Sequence, residues 1–215
     1  MDITKLSRSL AEHFGENLGY TEEKTDLLRF GFEIIIGEGL KLAVLIVIAV
    51  TYDILPEMLS TMITFFTFRF ISGGAHSNSH EGCLVMTTLF FSGIAFISSI
   101  HGSVFADNFR IFFLIVFIIS AVAITLWAPA ENKNRPIKLK KRKRLKTFSY
   151  VLLVIWALSI NAAAYFSIFQ SGVLFASALA VILQSFIQSP AGFRLMEYTD
   201  SVIKEKEGKT NAQQT

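Results

Sequence analysis

The residues able to do chemistry cluster in one short polar stretch, Arg69 to Cys83, set between two apolar runs. It holds the only cysteine, Cys83, and two of the four histidines, His76 and His80. A cysteine and a histidine are the minimum set for acyl transfer. The imidazole takes the thiol proton, the thiolate attacks a carbonyl carbon, and the imidazolium then protonates the leaving amine. Gly73-Gly74 breaks the preceding helix, since glycine adopts φ > 0 and lets backbones approach closely. Asn78 or Ser79 can cap the next helix, with Glu81 three residues after Asn78 in a capping-box arrangement. Either cap puts Cys83 in about the first turn, where unpaired N–H groups and the positive dipole end stabilise a thiolate and can hold an oxyanion. His76 sits on the loop and can fold back, whereas His80 is fixed in the first helical turn. His76 is therefore the preferred base. Glu81 is the nearest carboxylate, and capping accounts for it equally well.

Two other readings compete for these residues. A lone cysteine is ordinarily a small buried hydrophobe; the setting is what distinguishes Cys83. Zinc held by His76, His80, Glu81 and Cys83 is the rival chemistry, but the spacing matches no usual catalytic zinc helix. A single cysteine rules out an intramolecular disulfide and a cysteine-based zinc cluster. No metal or other cofactor is therefore assigned, and His13 and His101 read as interface residues.

The elements that must position this stretch are membrane helices. The chain of 215 residues is 52% hydrophobic, with positive mean hydropathy, too apolar for an ordinary soluble domain. The N-terminus lacks the apolar core and small-residue cleavage site of a signal peptide. Residues 2–18 read as an amphipathic helix with Ile3, Leu6, Leu10, Phe14 and Leu18 on one face. It can pack on the body of the protein or lie in the membrane interface and help dock a partner. Residues 19–29 form a charged connector, so 1–29 makes an interfacial N-terminal segment.

Residues 30–192 form a helical membrane domain. The first span, 30–55, carries Glu33, Glu38 and Lys41 in its early half; Glu38 and Lys41 are three apart and can pair. Either this helix begins outside the bilayer with Lys41 snorkelling, or the pair lines a polar cavity beside the loop. Residues 56–72 make a short helix that spans or re-enters, with Arg69 reaching the headgroups. Spans follow at 82–101, 109–128, 148–169 and 172–190, with Pro129 and Pro190 after the helices they end. The fold class is an all-α polytopic membrane protein with about six transmembrane or re-entrant helices plus the N-terminal amphipathic helix. Residues 193–215 are a cytoplasmic tail, solvated and partly disordered over its charge-alternating part, 197–215.

Nine of the twenty Lys and Arg residues fall between positions 133 and 146. The positive-inside rule puts this loop, 129–147, in the cytoplasm; counting back two spans puts the 72–83 loop there too, with both termini. A basic run between two spans points to anionic headgroups of the bilayer and to topology, not to nucleic acid.

Arg69, Gly74, His76 and Cys83, with six residues between His and Cys, resemble the signature of the accessory gene regulator protein B family (AgrB). The stretch Ala128-Pro129-Ala130-Glu131-Asn132-Lys133-Asn134-Arg135-Pro136, leading into the basic run, is similar as well. This resemblance implies a cysteine endopeptidase of Gram-positive quorum sensing in the bacterial cell membrane. Family members remove the acidic C-terminal tail of a small AgrD-like precursor peptide, then help close the remainder into a ring. The resemblance makes His76 the base and Cys83 the nucleophile, and it implies a homodimer. Arg69 either binds a substrate carboxylate or snorkels. The non-enzymatic alternative is a small membrane transporter or peptide exporter in which His76 and Cys83 are structural.

Overall fold

The structure is a computed structural model that describes residues 3–77, 79–104, 106, 108–130 and 138–212, with the side chains of 80, 139, 140 and 204–212 excepted. Among the described residues the chain is all-helical. The helices are α1 (Ile3–Leu18), α2 (Glu22–Thr51), α3 (Leu55–Ser72), α4 (His80–His101), α5 (Phe109–Trp127), α6 (Leu139–Tyr165), α7 (Ser171–Ile187) and α8 (Pro190–Ala212). Four of them, α2, α4, α5 and α6, are long and apolar enough to cross a bilayer. The pair α7 and α8, bent by 79° at its break, supplies up to a fifth span. Helix α3, at 18 residues, reaches about 27 Å at 1.5 Å per residue, slightly short of a hydrocarbon core of about 30 Å. The chain is a polytopic helical membrane protein.

It divides into two compact units, Met1–Val47 and Ile48–Thr215. In the first, the connector expected at 19–29 is helical from Glu22 onward. Glu22 and Glu23 occupy the first turn of α2, where the helix dipole favours acids. Arg29 then bridges Asp26 and Glu33, each at 3.1 Å. Helix α1 buries the small residues Ser7, Ala11 and Gly15, and leaves Leu6, Phe14 and Leu18 exposed. Its apolar stripe is therefore open, as a helix lying in a membrane interface requires.

The second unit is built around α7. Small residues along it, among them Gly172, Ala176, Ser177, Ala178 and Ala180, are buried and allow close helix approach where water provides no drive for association. Its neighbours are α3, α4, α5 and α6, with α3 the most extensive. Polar side chains fasten these contacts. Ser60 Oγ donates to the Val173 carbonyl at 2.8 Å, Thr64 and Ser177 share a hydrogen bond at 2.9 Å, and Trp156 Nε1 donates to Ser177 Oγ at 2.9 Å. Phe68, Phe113, Val116, Leu153, Trp156 and Val181 fill the space between them. Outside this core the helices stay apolar: Ile111, Leu114, Ile118, Val122 and Leu126 recur at helical spacing on α5 and are all exposed. A face of that kind suits lipid.

The basic run differs from expectation in one respect. Beyond Pro136 nothing breaks a helix, Lys, Arg and Leu favour one, and α6 begins at Leu139, well before the apolar segment. Replacing Leu153, fully buried in the core, by Ala is expected to cost about 2–5 kcal/mol. Ser177→Ala, which removes two interhelical hydrogen bonds, is expected to cost about 1 kcal/mol. SDS titration of the purified protein in mixed micelles, followed by circular dichroism, checks that order.

Candidate functional site

The Arg69–Cys83 stretch lies wholly in the second unit, where α3 ends and α4 begins. As its glycines suggested, α3 stops at Gly73, whose N–H bonds the Arg69 carbonyl at 3.0 Å. The chain then threads between two other parts of the protein. On one side, the Ala130 N–H donates to the Ser72 carbonyl at 2.9 Å in a bridge between Gly73 and Ala130. On the other, Gln184 Nε2 donates to the Gly73 carbonyl at 2.7 Å and to Ser72 Oγ at 3.0 Å, and the Ala75 N–H donates to the Ile187 carbonyl at 3.0 Å. The His-Cys loop and the start of the basic segment therefore meet at one end of the bundle. Gly73 and Gly74 have φ of 71° and 140°, and a Cβ on either would lie 2.5–2.6 Å from its neighbour: Ala130 O for Gly73, Arg69 Nη1 for Gly74.

Helix α4 is capped by Ser79, whose Oγ accepts from the Gly82 N–H at 3.1 Å. With the cap at Ser79, the third helical position is Gly82, so Glu81 does not stand in capping-box register; it is an exposed acid in the first turn. The alternative cap, Asn78, lies outside the described residues, as do the His80 side chain and residues 131–137. Cys83 is the fourth helical residue and half-buried. Its N–H closes the first helical bond to the Ser79 carbonyl at 3.1 Å, and its Sγ is 4.0 Å from Thr87 Oγ1.

His76 is exposed, with Nδ1 2.6 Å from the Ser77 carbonyl. A carbonyl only accepts, so Nδ1 carries a proton, and in the neutral ring the lone pair is on Nε2. Arg69 reaches into the loop from the last turn of α3. Its Nη2 donates to the Ala75 carbonyl, its guanidinium lies 6.0 Å from the Phe65 ring centre, and its charge acts on Cys83. Its Nη1 is buried and has no hydrogen-bond partner among the described residues. Of the residues singled out from sequence, Arg69 meets Gly74 and faces Cys83, while His76 stands on the same loop with its ring turned to the Ser77 carbonyl. Glu38 and Lys41 pair with each other inside the N-terminal unit, with Lys41 buried.

One residue of the site escaped the sequence reading. Helix α8 occupies the stretch expected to be a solvated tail, and Asp200 on it is buried. Its carboxylate accepts from Ser77 Oγ, from Ser79 Oγ at 3.0 Å and from the Ser79 N–H at 3.3 Å. The only signal available was position: Asp200 follows a proline-started turn of apolar residues, Phe193 and Met196, at helical spacing.

Gly74→Ala is expected to destabilise the protein by about 1–3 kcal/mol, because the new side chain meets both a disfavoured φ and the guanidinium. Gly93→Ala, in the middle of α4 with open space around it, is expected to be neutral or to stabilise by up to about 1 kcal/mol. The same SDS titration reads both signs.

Comparison with known proteins follows the same outline. The family model for Accessory gene regulator B matches residues 7–188. An AgrB-like protein of Clostridium perfringens strain 13 is 29% identical over 175 residues, which is 79% of this chain and 80% of the relative. Accessory gene regulator protein B of Staphylococcus aureus strain RF122 is 30% identical over 140 residues, 62% of this chain and 71% of the relative. An AgrB-like protein of Clostridium beijerinckii is 26% identical over 72% of this chain and 75% of its own length. No solved structure matches the chain. The chain belongs to the accessory gene regulator B family.

Proposed function

We propose that this protein is a membrane cysteine endopeptidase of an agr quorum-sensing system, acting on a small AgrD-like precursor peptide at the cytoplasmic face of the cell membrane. The observation that carries the reading is the state of His76. With Nδ1 committed to the Ser77 carbonyl, Nε2 is the nitrogen left to take a proton, and Ser77 shares the Asp200 carboxylate with Ser79, the cap of the helix that bears Cys83.

The steps follow from these groups. His76 Nε2 removes the Cys83 proton, and the thiolate attacks the carbonyl carbon at the end of the future ring. Negative charge on the carbonyl oxygen is met by the positive end of α4 and by Arg69, whose buried Nη1 is a donor awaiting an acceptor. The C–N bond then breaks, His76 returns its proton to the leaving amine, and the tail departs, leaving a peptidyl thioester on Cys83. An internal thiol or hydroxyl of the precursor gives its proton to His76 and attacks that thioester; the C–S bond to Cys83 breaks, a thiolactone or lactone ring closes and the Cys83 thiolate is restored. The exposed basic residues Lys141, Lys143 and Arg144 at the start of α6 favour an acidic tail by long-range attraction.

Co-expression with the precursor and mass measurement of the products test the reading. Cys83→Ser and Cys83→Ala are expected to insert normally and to leave the precursor uncut, and His76→Ala is expected to abolish cutting while His80→Ala only weakens it. An acyl adduct of the precursor's mass on Cys83 is the positive sign. Processing by Cys83→Ala would overturn the peptidase in favour of a transporter or exporter.

Arg69 gives a separate prediction. Arg69→Lys keeps the charge but loses the planar fork, so it is expected to cut more slowly than wild type yet faster than Arg69→Gln. The same order is expected for alkylation of Cys83 by iodoacetamide, which responds to the charge facing the sulfur.

A further inference from the structure

We propose that Asp200 of α8 is a positioning residue of this site, holding the His76 loop and the start of the Cys83 helix in one arrangement; the assignment rests on the peptidase reading above. A buried carboxylate is costly unless its oxygens are hydrogen-bonded. Here Ser77 and Ser79 together give Asp200 three hydrogen bonds. Each serine hydroxyl has one proton. Donation of the Ser79 proton to Asp200 turns that oxygen's lone pair toward the Gly82 N–H, which makes it the cap of α4. Ser77 donates to the same carboxylate oxygen, and its carbonyl receives His76 Nδ1.

The carboxylate therefore sets two things at once. It fixes the hydroxyl that caps the nucleophile's helix, and it fixes the backbone that orients the imidazole and selects its tautomer. Packing points the same way. A Cβ on Gly82 would lie 2.5 Å from Ser77 Oγ, 2.6 Å from Ser79 Oγ and 3.1 Å from Ile203 Cδ1 of α8. Helix α8 thus presses on the first turn of α4 one residue before Cys83, and the bend of 79° after α7 is what brings it there. Asp200 does not touch the reacting atoms; it acts through the serines.

Two readouts test this on the full-length protein in micelles. The first is iodoacetamide alkylation of Cys83, the only thiol in the chain. The second is cleavage of a synthetic peptide with an amphipathic N-terminal helix, an internal cysteine and an acidic C-terminal tail. Asp200→Ala is expected to lower kcat by about 100-fold with KM little changed, as for a misplaced catalytic group. Its alkylation rate is expected to fall to that of His76→Ala, and combining the two substitutions is expected to cost no more than either alone. Asp200→Asn keeps one oxygen to accept from both serines but loses the negative charge that strengthens those bonds, so it is expected to fall between Ala and wild type.

Wild-type kcat and alkylation in Asp200→Ala would overturn the assignment, as would a loss confined to KM or an additive effect with His76→Ala. If Asp200→Ala loses its helical signal, Asp200→Asn decides alone, and loss of fold in both would reduce Asp200 to a folding element. Cys83→Ala run in parallel separates the two proposals. Cleavage by it removes the peptidase reading and this one with it, whereas its inactivity beside a fully active Asp200→Ala removes this one only.

Discussion

The constraint on which the site depends is the need to hydrogen-bond an irregular backbone at the end of a membrane bundle. Where a chain leaves one helix and enters another close to lipid, its exposed N–H and C=O groups must find partners inside the protein. Ser72 O finds the Ala130 N–H, Gly73 O finds Gln184, Ala75 N finds Ile187 O, and Ala75 O finds Arg69. These partners come from three places: the segment just after α5, the last turns of α7 and the last turn of α3. The loop between α3 and α4 is consequently a junction of the bundle. Its two glycines are there because a side chain on either would collide with the groups that satisfy it.

This explains why α7 lies at the centre. It carries little that reacts, yet its small residues let α3 approach along its length, and its C-terminal turn supplies Gln184 and Ile187 to the loop. Beyond the bend, α8 adds Asp200. A single continuous element, bent at Gln188–Ser189, thus contacts the loop on both sides of His76: at Gly73 and Ala75 before it, and at Ser77 and Ser79 after it. Arg69 reaches the loop from α3, so its guanidinium and the Asp200 carboxyl group approach it from separate helices.

Much of this was legible in the residues. Gly73-Gly74 announced the end of α3, Ser79 was one of two capping candidates, and the apolar runs marked α4, α5 and α7 closely, while α2 and α6 begin eight and nine residues before their apolar runs, at Glu22 and Leu139. The shortfalls share a physical cause. Local pattern reports which face of a helix is apolar, but in lipid an apolar face can point either inward or outward. Nothing in periodicity therefore reveals that α7 is interior while α5 shows Ile111 and Leu114 to the outside. In α1 the same ambiguity runs the other way, since the buried stripe is Ser7, Ala11 and Gly15 and the apolar stripe is open. Asp200 was hidden for a different reason. In a charge-alternating segment each acid looks alike, and only a partner more than one hundred residues away, Ser77 or Ser79, singles one out.

A site held this way suits the two-step chemistry proposed for it. A thioester must survive until an internal thiol or hydroxyl of the same peptide reaches it, and water is the competitor throughout. A triad on an exposed, fully preorganised scaffold activates water as readily as it activates the enzyme's own nucleophile. Here His76, the proposed base, stands on an exposed loop position, and Cys83, the proposed nucleophile, is half-buried in the first turns of a helix whose outer residues are apolar. The base must therefore be brought to the thiol by the loop's conformation, which the serine–carboxylate contacts restrict. In the proposed reaction an acylated Cys83 would hold the peptide on α4, where attack from within the peptide has the advantage of proximity. On the proposed reading the membrane helices would do more than anchor the chain, because they would bias the fate of the intermediate away from hydrolysis and toward ring closure.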